Sequence, residues 1–191
     1  MTKEQRHNCM ASIRGKNTKP EIMVRKFLFS RGFRYRLNHP RLPGHPDIVL
    51  RKYRTCVFVN GCFWHGHKGC SKFVMPKTRT EFWANKIARN QERDLVNIQR
   101  LESIGWSAIT IWECELSKSG IENTMEKIES MLAENRTKWK EYQAHRRESR
   151  KFAIEQARRR REINAIIEAE LNKRFGIPER IRRLSRIDED L

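Results

Sequence analysis

The ten residues "GCFWHGHKGC", 61 to 70, constrain this chain more than any other stretch. Cys62, His67 and Cys70 follow the spacing C-x4-H-x2-C, so three sulfur and nitrogen donors fall in one short loop. Zinc takes four such donors in a tetrahedron, and a Cys3His set leaves it no open coordination position. The expected role is therefore structural: a Zn2+ staple that fixes the loop, with Cys114, far along the chain, as fourth ligand. Cys114 between Glu113 and Glu115 on a strand also reads as a small buried hydrophobe. The five cysteines are an odd number, and no signal-peptide pattern precedes them, so a disulfide framework is not expected. Cys9 and Cys56 read as unligated, Cys56 in the core.

Charge narrows the partners. Formal net charge is +18 and the isoelectric point about 10.3 over 191 residues. That excess repels itself and draws in a polyanion by releasing condensed counterions, which makes nucleic acid the leading partner. An anionic membrane surface is the competitor. However, the sequence has no apolar run of transmembrane length and no lipidation motif, and the expected location is cytoplasmic, with no membrane partner.

The elements alternate in type. Residues 1–17 read as a polar, basic arm. "TKPE" is a capping box, with Thr18 as N-cap, Glu21 three residues on and Pro20 in the first turn. It opens a helix whose apolar stripe pairs Met23 with Phe27 and Val24 with Leu28, and Gly32 stops it. "FRYRLN", "DIVL" and "TCVFVN" read as strands. "TRTE" (78–81) reads as a second capping box, opening a long helix with Trp83, Ile87, Leu95, Ile98 and Leu101 inward. "WSAITIWE" is a further strand. "GIENTMEKIESMLAEN" is an amphipathic helix with Ile121, Met125, Ile128 and Leu132 inward. The predicted class is α/β, one mixed sheet sandwiched between helices. Residues 18–134 form the expected main domain. From 135 to 191 Lys and Arg alternate with Glu, giving 17 basic and 10 acidic residues, and the stretch reads as a basic, solvated helical extension. It is either a charged helix with no specific task, or a source of nonspecific DNA affinity or a partner helix.

Three residues carry candidate chemistry. Hydrolysis of a phosphodiester needs an acidic group to hold magnesium, so that the ion activates water and neutralises developing charge. In "PGHPDIVL", Asp47 stands where a Pro-Gly turn enters a buried strand, although Asp after Pro is also a common turn residue. His65 lies inside the Cys/His cluster and is not needed by the zinc set. Glu21 is explained by capping alone, yet it is also a carboxylate on the first helix.

Taken together, "LPGHPDIVL", "VFVNGCFWHGHKGC", "TRTEFWANKIARN", "ERD" and "GWSAITIWECEL" resemble the very-short-patch repair endonucleases over roughly residues 5 to 134. The resemblance implies a restriction-endonuclease-like fold with an αβββαβ core. It implies a Mg2+-dependent enzyme that nicks one strand of double-stranded DNA at T:G mismatches left by deamination of 5-methylcytosine. A functional link to a cytosine-5 DNA methyltransferase and to mismatch-repair proteins follows from it. By matching position, Asp47 is the metal-binding aspartate, and Glu21 is the acid that orders metal-bound water. His65 is the histidine that activates water or stabilises the leaving group, and the backbone carbonyl of Val59 joins the magnesium. The family's zinc set falls on Cys62, His67, Cys70 and Cys114. Position 60 is Asn, where the best-known members carry a second active-site histidine. Asn60 can hydrogen-bond a phosphate or a bound water but cannot shuttle a proton near neutral pH.

The aromatics left over suit DNA. Wedge residues detect a weak base pair because unstacking costs least at a mismatch. The resemblance implies that Phe63, Trp64 and Trp83 insert beside the T:G pair, with Met10 of the arm entering from the other groove. Phe82 reads as core. Lys86, Arg89 and Arg93 either meet phosphates or are merely solvated. A nicking or restriction-type nuclease of the same fold with another target, and a zinc-stapled DNA-binding protein without catalysis, are the competing functions.

Overall fold

The computed structural model describes residues 2, 4, 5, 8 and 15–176. Met10 and Cys9 lie outside the described residues. The chain divides into two units, Met1–Trp139 and Lys140–Leu191.

In the first unit, helix α1 (Lys19–Ser30) precedes strands β1 (Arg36–Leu37), β2 (Ile48–Leu50) and β3 (Thr55–Asn60), then helix α2 (Thr80–Ser103), strand β4 (Ser107–Trp112) and the start of helix α3 (Ile121–Phe175). The sheet order is β1-β2-β3-β4. β1, β2 and β3 pair antiparallel, whereas β3 and β4 run parallel, with Asn60 opposite Trp112 at the shared C-terminal end. Parallel pairing requires a crossover, and α2 supplies it. The mixed sheet flanked by helices agrees with the sequence reading.

Strand residues alternate between the two faces. Ile48, Leu50, Val57, Ile109 and Ile111 pack with Val24 and Leu28 of α1 and Met125, Ile128 and Leu132 of α3. Val49 and Cys56 point the other way, to Leu101 of α2 and Trp106. Each fully buried aliphatic side chain contributes roughly 1.5–3 kcal/mol. Cys56 belongs to this core, and burial pushes its thiol up to about 12, so it is chemically inert.

Several local expectations are corrected. Met23 and Leu95 are exposed, because the buried face of α1 runs through Glu21, Val24, Arg25 and Leu28, and α2 buries only Ile87 and Leu101. The first capping box forms with both reciprocal bonds. The second does not: the N-cap of α2 is Arg79 in the left-handed region (φ 54°), whereas a Ser/Thr cap needs extended backbone. Thr80 instead donates its hydroxyl to the carbonyl of Pro76 at 3.1 Å. The strand expected over 33–38 shortens to two residues, and Cys114 lies on a 3-10 turn (Glu113–Leu116) just past β4.

Candidate metal centre and active site

The carboxyl ends of the parallel strands β3 and β4 bring together four candidate metal ligands. The loop leaving β3 at Asn60 carries Cys62, His67 and Cys70, and the turn leaving β4 carries Cys114. Their four ligand atoms all lie within 4.8 Å of one another. His67 Nδ1 is 3.3 Å from Cys114 Sγ and 3.6 Å from Cys62 Sγ. A zinc tetrahedron with Zn–S of about 2.3 Å and Zn–N of about 2.0 Å sets that separation near ~3.5 Å. The His67 ring is stacked on Trp112, centroids 4.1 Å apart and planes 4° from parallel, which fixes its orientation. Burial pushes the Cys62 thiol up to about 12, while the backbone N–H of Lys72, 3.4 Å from Cys70 Sγ, draws Cys70 down. Lys72 also bridges the loop to the Cys114 turn through Glu113 at 3.1 Å. The donor set and its spacing fit a structural zinc ion.

A second cluster forms where α1, β2 and the same loop converge. Asp47, just ahead of β2, accepts a hydrogen bond from the Val59 backbone N–H at 2.8 Å. Burial holds its carboxyl above the usual range, opposed by that N–H. Among neighbouring charges, Glu21 raises it further, and Arg25 and His65 lower it. Glu21, Arg25 and His65 thus all lie near enough to act on the Asp47 carboxyl.

Glu21 is buried, and donors surround its carboxylate. Oε2 accepts from Asn17 N at 3.0 Å and from Arg25 Nη2 at 2.6 Å; Oε1 accepts from Thr18 N and Thr18 Oγ1. Arg25 is buried as well, and donates from Nη1 to Asn17 Oδ1 at 2.6 Å. Asn60 is buried at the end of β3.

His65 does not stand alone. Its Nδ1 lies 2.5 Å from Asp94 Oδ2, an interaction that leaves Nε2 as the ring atom available to a ligand. Two neighbours on α2 hold the backbone of the same loop. Asn90 donates to the Trp64 carbonyl at 2.9 Å, and Gln91 donates to the carbonyls of His65 and Gly66 at 3.2 and 3.0 Å. Sequence reasoning missed Asp94, Asn90, Gln91 and Arg25. A signal was present: 90, 91 and 94 stand three, four and seven residues after buried Ile87, positions an apolar stripe would occupy. Polar residues on that face must find partners.

The aromatic group assembles beside this loop. Phe63 lies 5.2 Å from both Trp64 and Trp83, centroid to centroid, and Trp64 lies 6.0 Å from Trp83. All three are half-buried. The Lys86 ammonium stands 5.2 and 5.3 Å from the Trp64 and Trp83 rings. Phe82 is not core: it is exposed, with the Arg79 guanidinium 4.6 Å from its ring centre. It lies one residue before Trp83, so the helix turns it away from Ile87.

With the site in view, relatives decide the family. The Vsr family profile, described as DNA mismatch endonuclease Vsr, matches residues 1–72. Type II nicking enzyme V.NmeAIP of Neisseria meningitidis is 53% identical over 120 residues, covering 63% of this chain and 85% of that protein. The chain belongs to the Vsr family. DNA mismatch endonuclease Vsr of Escherichia coli is 42% identical over 114 residues, covering 60% of this chain and 72% of that protein. Type II nicking enzyme V.XorIIP of Xanthomonas oryzae is 45% identical over 120 residues, covering 63% and 88%. Each Vsr relative therefore matches a stretch close in length to the first unit.

Proposed function

We propose that this chain is a magnesium-dependent endonuclease that nicks one strand of duplex DNA at T:G mismatches, on a restriction-like fold stapled by zinc. Membership of the Vsr family, with relatives named as mismatch and nicking endonucleases, makes it a DNA-cleaving hydrolase. The observation that carries the finer reading is the convergence of Asp47, Glu21 and His65 at one charged cluster, beside the aromatic group.

Asp47 and the Val59 carbonyl would hold the magnesium; the Asp47 carboxylate already accepts a hydrogen bond from the Val59 backbone N–H at 2.8 Å. When bound, the ion supplies positive charge to the scissile phosphate and lowers the pKa of coordinated water. His65, oriented by Asp94, presents Nε2 to the phosphate as proton donor or acceptor. Glu21, fixed by the helix cap and Arg25, sets the position of water from the α1 side. Asn60 contributes a hydrogen bond without proton transfer, and His65 is the imidazole assigned to the reaction. Phe63, Trp64 and Trp83 form the wedge, joined by Met10 from the arm. Cys62, His67, Cys70 and Cys114 hold the loop in place through zinc. A functional link to a cytosine-5 DNA methyltransferase and to mismatch-repair proteins, and an intracellular site of action, follow from this substrate.

Strand-nicking assays on matched T:G and T:A duplexes, with and without magnesium, test the reading. Magnesium-dependent nicking of one strand at T:G only is expected. Equal cleavage of both duplexes indicates another target, and binding without cleavage indicates lost catalysis.

A further inference from the structure

The second unit carries a charge pattern that helical geometry converts into two faces. From Lys140 to Leu171 every residue is helical and exposed. At 3.6 residues per turn, successive side chains rotate by about 100°. On that wheel Arg146, Arg147, Arg150, Lys151, Arg158 and Arg161 fall within one arc of about 140°, and between positions 146 and 161 the arc holds no acidic residue, only Ile154 and Ala157 besides; Glu168 enters it beyond that stretch, and Arg159 lies beside the glutamates. Glu141, Glu148, Glu155 and Glu162 recur every seventh residue and collect in a separate arc of about 60°. Ion pairs at i, i+4 (Arg158–Glu162 at 2.9 Å and Arg159–Glu155 at 3.3 Å) tie the acidic stripe to its neighbours. A merely soluble charged helix has no need to sort its charges this way. Intrahelical pairing alone favours interspersing them.

We infer that the basic arc of this helix is a second duplex-DNA surface, binding phosphates without reading sequence. From Arg146 to Arg161 the helix rises about 22 Å, and phosphates of one strand repeat every ~3.4 Å along the axis. The six cations thus match a run of about six phosphates in length, and a straight helix on a curved backbone engages about half of them. No aromatic side chain lies in the arc, so base stacking has no part in it. The glutamate stripe on another side keeps the helix from binding polyanions all round. The inference extends the nuclease reading to the second unit. Its test reads binding to a fully paired duplex, so its failure is distinct from a failure of mismatch nicking.

The test compares two full-length triple variants of equal charge change. R147Q/K151Q/R158Q neutralises the basic arc; R159Q/R160Q/R174Q removes three cations outside it. Each breaks one of the two ion pairs, and glutamine keeps helix propensity close to that of arginine and lysine. Affinity for a T:A duplex is measured from about 50 to 200 mM salt. The first variant should flatten the slope of log affinity against log salt by about 2–3 and weaken binding about tenfold or more. The second should stay within about twofold of the parent. Equal losses in both variants would mean that only net charge matters, and unchanged slopes in both would mean that the helix does not touch DNA; either result overturns the inference.

Discussion

The imidazole of His65 is held by the carboxylate of Asp94, Nδ1 to Oδ2 at 2.5 Å, across 29 residues of sequence. Asp94 rides on α2, the helix that also carries Trp83. The partner that orients His65 and one member of the aromatic trio are therefore mounted on one helix. Asp94→Asn keeps the shape but removes the acceptor charge that fixes the ring. Single-turnover cleavage should fall by about 10- to 100-fold, a fraction of the contribution of an acid–base group, with mismatch affinity nearly unchanged. A parallel loss of affinity would assign Asp94 to loop folding instead.

On the proposed mechanism, Asp47 combines metal binding with a stability cost. Asp47→Asn should abolish magnesium-dependent nicking while T:G binding persists, because the carboxylate holds the ion and reads no base. Its folded pKa is raised by burial, so the native state binds that proton more tightly than the unfolded chain does. The resulting penalty is fully present above the folded pKa. It vanishes below the unfolded value near ~3.9. Without added magnesium, Asp47→Asn should therefore melt higher than the parent at neutral pH, and the gap should close as pH falls toward that value. Melting curves across pH check it.

One zinc per chain should survive dialysis against a weak chelator. Cys62→Ser or Cys70→Ser should lose the ion and unfold the first unit, since metal binding to such a set is folding free energy. Trp112, stacked on His67, gives a local readout: its fluorescence should change when zinc is stripped. Retained zinc and an unaltered melt in Cys62→Ser would overturn the ligand set.

Gly66 tests the clamp between the loop and α2. Its φ is 63°, and a Cβ there would stand 2.5 Å from Ile87 Cγ2 and 2.6 Å from Gln91 Nε2. Gly66→Ala must push the loop off the helix, moving His65 and Trp64 together. Cleavage and mismatch affinity should drop in concert, and the free energy of unfolding should fall by about 1–3 kcal/mol, the cost of local strain.

Trp83→Ala separates recognition from chemistry. A side chain stacked on an exposed base contributes roughly 1–3 kcal/mol, so mismatch affinity should weaken by about 5- to 150-fold. Turnover at saturating enzyme should change less, because Asp47, His65 and Asp94 are untouched. Trp83 is half-buried, and a large fall in melting temperature at constant affinity would place its role in packing.

The sequence by itself determined whatever depends on neighbours along the chain. The Thr18–Glu21 cap, the strands over "TCVFVN" and "WSAITIWE", the inward row Met125, Ile128 and Leu132, and the C-x4-H-x2-C spacing all follow from local periodicity or short-range bonding. Only the tertiary structure decided the rest. Asp94 reaches His65, Arg25 is buried against Glu21, and Cys114 meets His67 because a parallel β3–β4 pair and its crossover helix bring distant segments together. The second cap failed as well, and Phe82 is exposed where a core position was expected. At the start of α2 the chain enters through Arg79 in the left-handed region, a backbone geometry the capping pattern of "TRTE" did not reveal.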